Sequence, residues 1–203
     1  MNKSLLLVII ALTVTSINKL FAQPNVKADT LVKRRQSLVL QVGGGISSYV
    51  APINIKPIEL PGSIKRMSPA ATVRVMWYPN YRLRVGIETG YMNFYSYSIK
   101  NGNTEGKVTL SAVPLLLVWS MQIVRRVNVY AGFGTYILST HLNYKGEVKS
   151  KAWVLGSNIA LSYTQPISKN LGIAGEAKWM NAFETKDYSL GLQVHLVWKF
   201  LQL

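Results

Sequence analysis

Six side chains with ion-pairing or acid–base chemistry interrupt otherwise apolar stretches: Arg74, Arg84, Glu88, Glu176, Lys178 and His195. Each sits in a segment that alternates apolar and polar residues, as in TVRVMW, RLRVGIETGY, LGIAGEAKW and YSLGLQVHLVWKF. Opposite charges on one side of such segments can neutralise one another, and charges removed from water need that partner because each costs several kcal/mol alone. Arg74, Arg84 and Lys178 are therefore expected to pair with Glu88 and Glu176. Asn128, Tyr130, Asn158 and Gln193 share their side and can complete the hydrogen bonding.

A histidine beside a serine and an acid would suggest nucleophilic hydrolysis. Here Ser189 lies on the same side as His195 but six residues away, roughly 20 Å along an extended strand. The chain has no cysteine and two histidines far apart in sequence, so thiolate chemistry and a zinc–thiolate site are excluded. The expectation is an ionic network filling an interior, with no catalytic residue, no metal site and no cofactor.

The elements that must hold these residues follow from the period. From residue 37 onward it is two, in eight runs: 37–50, 70–78, 82–97, 107–121, 127–144, 152–164, 170–183 and 187–200. The breaks carry turn chemistry, such as Pro79-Asn80, Asn101-Gly102-Asn103, Lys145-Gly146 and Lys186-Asp187. Residues 51–67 read as a longer loop with three prolines.

One side of most runs is wholly apolar: Leu83, Val85 and Ile87, or Leu190, Leu192, Val194, Leu196 and Trp198. The other side is poor in long charged residues and rich in Gly, Ala, Ser and Thr. A water-facing side would carry many lysines and glutamates. Small residues with a few ions suit the narrow interior of an eight-stranded barrel, which side chains just fill.

The apolar side then faces lipid, and the sheet must close because unpaired edges in hydrocarbon cost several kcal/mol per group. Trp77, Tyr78, Tyr81, Trp119, Trp198 and Phe200 at one end, and Tyr49, Tyr95, Tyr97, Trp153, Phe183 and Tyr188 at the other, read as two aromatic belts. The run at 110–119, LSAVPLLLVW, is apolar on both sides and its facing is open. The fold expected is all-β: an eight-stranded antiparallel up-and-down transmembrane β-barrel. Its rival is a soluble lipocalin-like exported binder, with Leu83 and Ile87 in a dry core and Arg84, Glu88 and Glu176 in water.

Residues 1–22 have the layout of a secretory signal: a lysine near the start, an apolar core too short to span a bilayer, and Ala22 before the cut. Residues 23–36 read as a leader and 37–203 as the barrel. The formal net charge is +15. In an exported chain this points to lipid and lipopolysaccharide phosphates rather than to nucleic acid.

The LFAQ export junction, AVPLLLVW followed by VNVYAGFGTYIL, and the aromatic-ended last strand resemble the small outer-membrane β-barrels of Gram-negative bacteria, the OmpA/OmpX-like group. The resemblance implies an outer-membrane address, a periplasmic leader, a structural or interaction role, and partners among outer-membrane lipids, lipopolysaccharide and other envelope proteins. With both termini periplasmic, the outer loops are 51–67, 98–106, 145–150 and 184–186. Lys56, Lys65, Arg66, Lys100, Lys107, Lys145, Lys149 and Lys151 lie on or beside them as candidate lipopolysaccharide contacts. A lipid-modifying enzyme is the alternative activity. His141-Leu142-Asn143 lacks the serine that follows histidine in outer-membrane lipid A deacylases.

Overall fold

The computed structural model describes residues 36–50, 62–79, 82–101, 104–143 and 147–202. The segment read as a signal and all but residue 36 of the segment read as a leader lie outside them. Among the described residues there are nine strands: β1 (Ser37–Tyr49), β2 (Gly62–Lys65), β3 (Met67–Tyr78), β4 (Leu83–Asn101), β5 (Thr104–Val124), β6 (Val127–Asn143), β7 (Glu147–Pro166), β8 (Leu171–Ala182) and β9 (Asp187–Gln202). Every neighbour pair is antiparallel, and β4 pairs with β5 to close the sheet. Short β2 continues the line of β3 along β4, from Gly62↔Ile99 to Lys65↔Ser96. The two form one interrupted stave, and the barrel has eight.

Closure leaves one inside and one outside. Met76, Glu88, Ala160, Lys178 and His195 are buried, while Val73, Ile87, Leu161, Ile173, Leu192 and Leu196 are exposed. This excludes the soluble reading, which needs the reverse. β5 resolves in the same way: Val113, Leu115, Leu117 and Trp119 point out, and Ala112, Leu116, Val118 and Ser120 point in. The β4–β5 pairing joins the two ends of the sheet, so the ring of staves closes as a membrane-spanning sheet requires.

Three features differ from the sequence reading. First, the strands run past the apolar stretches. β4, β5 and β7 continue through positions read as loop, because hydrogen-bonded pairing needs no apolar side chain and the change in polarity marks the edge of the lipid instead. Segment 62–65, read as loop, is strand, and Met67 opens β3.

Second, four of the belt tyrosines are not in a belt. Tyr49 and Tyr78 share the parity of Gln41 and Arg74 and point inward. A bulge at Phe94 shifts the register between Asn93 and Tyr95 and turns Tyr95 and Tyr97 to the axis side. Tyr95 packs against Tyr49 with ring centroids 5.3 Å apart and the rings tilted by 56°. Third, Lys199, read as facing the lumen, is exposed at the barrel mouth, where a register shift opposite Leu38 and Val39 leaves Phe200 unpaired. Tyr81 lies outside the described residues.

Glycines let the wall bend tightly. A Cβ on Gly45 would collide with the Leu192 carbonyl oxygen and stand 2.7 Å from Gln193 Cα, all backbone. One on Gly44, pointing outward, would have nothing nearer than the Ala70 carbonyl at 3.6 Å. Gly45→Val is expected to destabilise the barrel by about 1–3 kcal/mol, the usual range for overpacking, with Gly44→Ala far milder. Urea unfolding in lipid vesicles, followed by the mobility shift of unboiled protein on gels, measures both. Equal losses at the two positions would contradict the close approach.

Candidate functional site

The interior is layered along the axis. At mid-height, register places Gln41, Arg74 and Glu88 side by side on β1, β3 and β4. Across the lumen, β8 supplies Glu176 and Lys178, and β9 supplies Gln193 and His195. Small residues make room for the large ones. His195 stands between Gly43 and Ala174, and Lys178 between Ala160 and Gly191.

Arg74 is the hub. Its Nε donates to Glu88 Oε2 at 2.7 Å, its Nη1 to Gln41 Oε1 at 2.8 Å and Glu176 Oε2 at 2.9 Å, and its Nη2 to Glu176 Oε1 at 3.1 Å. Its guanidinium carbon lies 4.1 Å from the centre of the Tyr130 ring. Lys178 Nζ reaches Glu88 Oε1 at 2.9 Å and Glu176 Oε1 at 3.2 Å, and donates to Thr72 Oγ1 at 3.1 Å. Asn158 Nδ2 donates to Glu88 Oε1 at 2.7 Å. Two cations and two carboxylates thus share one cluster of zero formal charge, all at most 3% exposed. His195 Nε2 lies 3.6 Å from Glu176 Oε1, at the cluster's margin.

Arg84 does not belong to this cluster, contrary to the sequence reading. It reaches neither glutamate. It sits nearer the termini, donating to Asn128 Oδ1 and Gln122 Oε1, both at 2.9 Å, over the Tyr78 ring. The reason is distance along the strand: Arg84 is four residues below Glu88, whereas Arg74 is its direct cross-strand partner.

Beyond the ions, towards the tall end, comes a buried apolar layer of Met92, Phe94, Tyr136 and Met180. Asp187 closes this end, 8% exposed and accepting a hydrogen bond from the Tyr49 hydroxyl. Tyr49 was read as a belt aromatic, and Asp187 escaped the sequence reading because it stands in a turn dipeptide. Its parity with Ser189, Gln193 and His195 was the available signal. Thr72, whose hydroxyl donates to Gln193 Oε1 at 2.8 Å while accepting from Lys178, was missed for lack of charge.

The basic residues of the outer end divide. Lys65, Arg66, Lys107, Lys149 and Lys151 are exposed, and Lys100 lies in β4. Lys56 and Lys145 fall outside the described residues. Lys107, Lys149 and Lys151 stand on strands, not loops. On the outer face of β5, β6 and β7, His141 is paired with Lys149 and Ser139 with Lys151. The next row down is Val113, Ile137 and Trp153. The change from basic to apolar within one row marks the rim of the greasy band.

No family model and no curated protein matches the sequence. Among solved structures, Neisserial surface protein A aligns with 81% of this chain and 99% of its own length, at 13% identity and a TM-score of 0.51. The chain has the fold of the small eight-stranded outer-membrane β-barrels. A major outer membrane protein from Thermus thermophilus gives the same result, with 81% and 99% coverage, 11% identity and a TM-score of 0.51. At such identities the likeness concerns the membrane barrel fold. The filling of this outer-membrane-type barrel is four balanced ions beneath a buried apolar layer.

Proposed function

We propose that this protein is a non-enzymatic component of the Gram-negative outer membrane with a structural or interaction role, its lumen plugged by the ionic network. The observation that carries the reading is the cluster itself. Arg74, Glu88, Glu176 and Lys178 link β3 and β4 to β8 across the whole lumen, each at most 3% exposed. An eight-stranded barrel has only enough interior for side chains. The buried charges satisfy one another and offer no vacant position to a permeating ion.

The same burial supports the absence of catalysis. His195 is 1% exposed, and the nearby carboxylate Glu176 is already engaged by Arg74 and Lys178. Ser189 is 0% exposed and accepts a hydrogen bond from Ser47.

The outer face offers the interaction. Lys107, Lys149 and Lys151, set just above Trp153, stand where lipopolysaccharide phosphates lie when the termini are periplasmic. Each basic residue near an anionic membrane surface contributes about 1 kcal/mol. Export through an N-terminal signal fits this address, and other envelope proteins are the further candidate partners. Nucleic acid is not among them.

Planar-bilayer recording tests the plug. The purified barrel is expected to insert without stepwise conductance over a wide voltage range. Reproducible unit conductance steps in the wild-type protein would overturn the reading.

A further inference from the structure

The barrel's rim is uneven. β7 begins at Glu147, but its pairing with β8 starts only at Gly156↔Ala182. β1 ends at Tyr49 and β9 begins at Asp187, whereas β4, β5, β6 and β7 rise well beyond that level. These four strands, with short β2 on the side of β4, therefore stand over a low wall. Their axis-facing side above the ionic layer carries an apolar patch below polar Thr140 and Ser150: Leu110 and Leu138 are 8% and 4% exposed, with Ala152 across from Leu138.

A cavity of about 740 Å³ occupies this step. It touches the inward Leu110 and Leu138 and also Trp179 and Phe183, which point outward and are 46% and 44% exposed. One space thus joins the upper lumen to the lipid-facing surface across the end of β8. Its polar edge is the β8–β9 turn. There Lys186 is exposed and adopts φ of 55°, a left-handed conformation uncommon outside glycine, asparagine and aspartate. Asp187 beside it is held by Tyr49. Such strain is a reason to look for a role at this turn.

We infer that this cavity takes a single long acyl chain carrying an anionic head, entering sideways over β8. The chain lies against Leu110, Leu138 and Ala152, and the head stays at the rim by Lys186. Three observations favour this occupant over a sugar or a peptide. The apolar Leu110, Leu138 and Ala152 line the same space as the membrane-facing aromatics Trp179 and Phe183. The one cation lining the cavity among the described residues sits at its open edge. Phe94, Tyr136 and Met180, which do not line the cavity, are buried between its level and the ionic layer. The inference needs the membrane barrel but not the plug, since a leaky plug and an acyl site are compatible.

The chain has no cysteine, so single cysteines report locally. Thr140 faces the cavity, and Ser139 is its neighbour on the outer face of β6. Cysteines are placed at each, and labelling by a small maleimide is timed in detergent and in phosphatidylcholine nanodiscs, with and without palmitate. Folding is checked by gel mobility. Palmitate is expected to slow labelling at position 140 at least about fivefold and leave 139 unchanged, and Ala152→Trp, which fills the cavity, is expected to cancel that protection.

Slow labelling at 140 in nanodiscs without palmitate, relieved in detergent, would assign the chain to a bilayer lipid and still support the site. Equal rates at 140 under all conditions, or equal slowing at 139 and 140, would overturn it. The same holds if a folded Ala152→Trp barrel keeps full protection. None of these readouts depends on whether the barrel conducts.

Discussion

Arg74→Met is expected to destabilise the folded barrel by about 3–5 kcal/mol, the range for removing one partner from a buried ionic set. Arg74 holds Glu88, Glu176 and Gln41 at once. Without it, Lys178 alone faces two carboxylates that are 2% and 3% exposed. The cluster goes from zero formal charge to one uncompensated negative charge in a lumen walled by sheet and lipid. Arg74→Lys should recover little, because a point ammonium cannot span the two glutamates as a planar fork does.

The decisive comparison is the double variant Arg74→Met with Glu176→Gln. It restores charge balance between Lys178 and Glu88, and should regain part of the loss even though it has fewer hydrogen bonds than the single variant. Urea unfolding of the four proteins in one vesicle composition gives the coupling energy. Additive losses in the double variant would mean that the ions act independently, and the balanced cluster would not be the unit holding the barrel.

Much of this was legible in the sequence, and the physical reason is parity. In a strand a residue's side is fixed by counting twos, so Gln193 and His195 were assignable to the lumen from VHLVW and its flanks alone. Parity even held information that aromatic type overrode: Tyr49 and Tyr78 follow Gln41 and Arg74 inward, although tyrosine suggests a membrane interface. Parity failed where the chain inserts one extra residue. Nothing in NFYSY announces the bulge at Phe94 that turns Tyr95 to the axis.

Height along the axis was the other missing quantity. It depends on register between strands, which single-strand patterns do not contain. Arg84 and Arg74 look equivalent in sequence, yet Arg74 meets Glu88 directly and Arg84 lies a layer away with Asn128. The uneven rim was hidden for the same reason. It arises from the difference between where β7 and β8 stop, and the polar composition at 147–150 was read as loop.

Val194→Arg is expected to cost about 2–4 kcal/mol, the penalty for a cation at mid-membrane on the lipid face of a barrel. Val194 is the central outward residue of β9 and is 61% exposed in the isolated protein. Its cross-strand neighbours are Gly44 and Gly175, so no carboxylate stands beside it to neutralise a guanidinium. On a water-facing surface a substitution so exposed would change stability by no more than about 0.5 kcal/mol. The two solvents therefore predict different results for the same atoms.

Glu184→Arg, exposed beyond the end of β8, serves as the control. It carries the same new side chain where the sheet has left the hydrocarbon, and its effect should be small. The pair is measured by urea unfolding in phosphatidylcholine vesicles. Salt should not rescue Val194→Arg, since its penalty comes from lost hydration rather than from repulsion between exposed charges. A loss at 194 no larger than at 184 would mean that water, not lipid, covers the middle of β9, and the inside-out arrangement of the sheet would have to be given up.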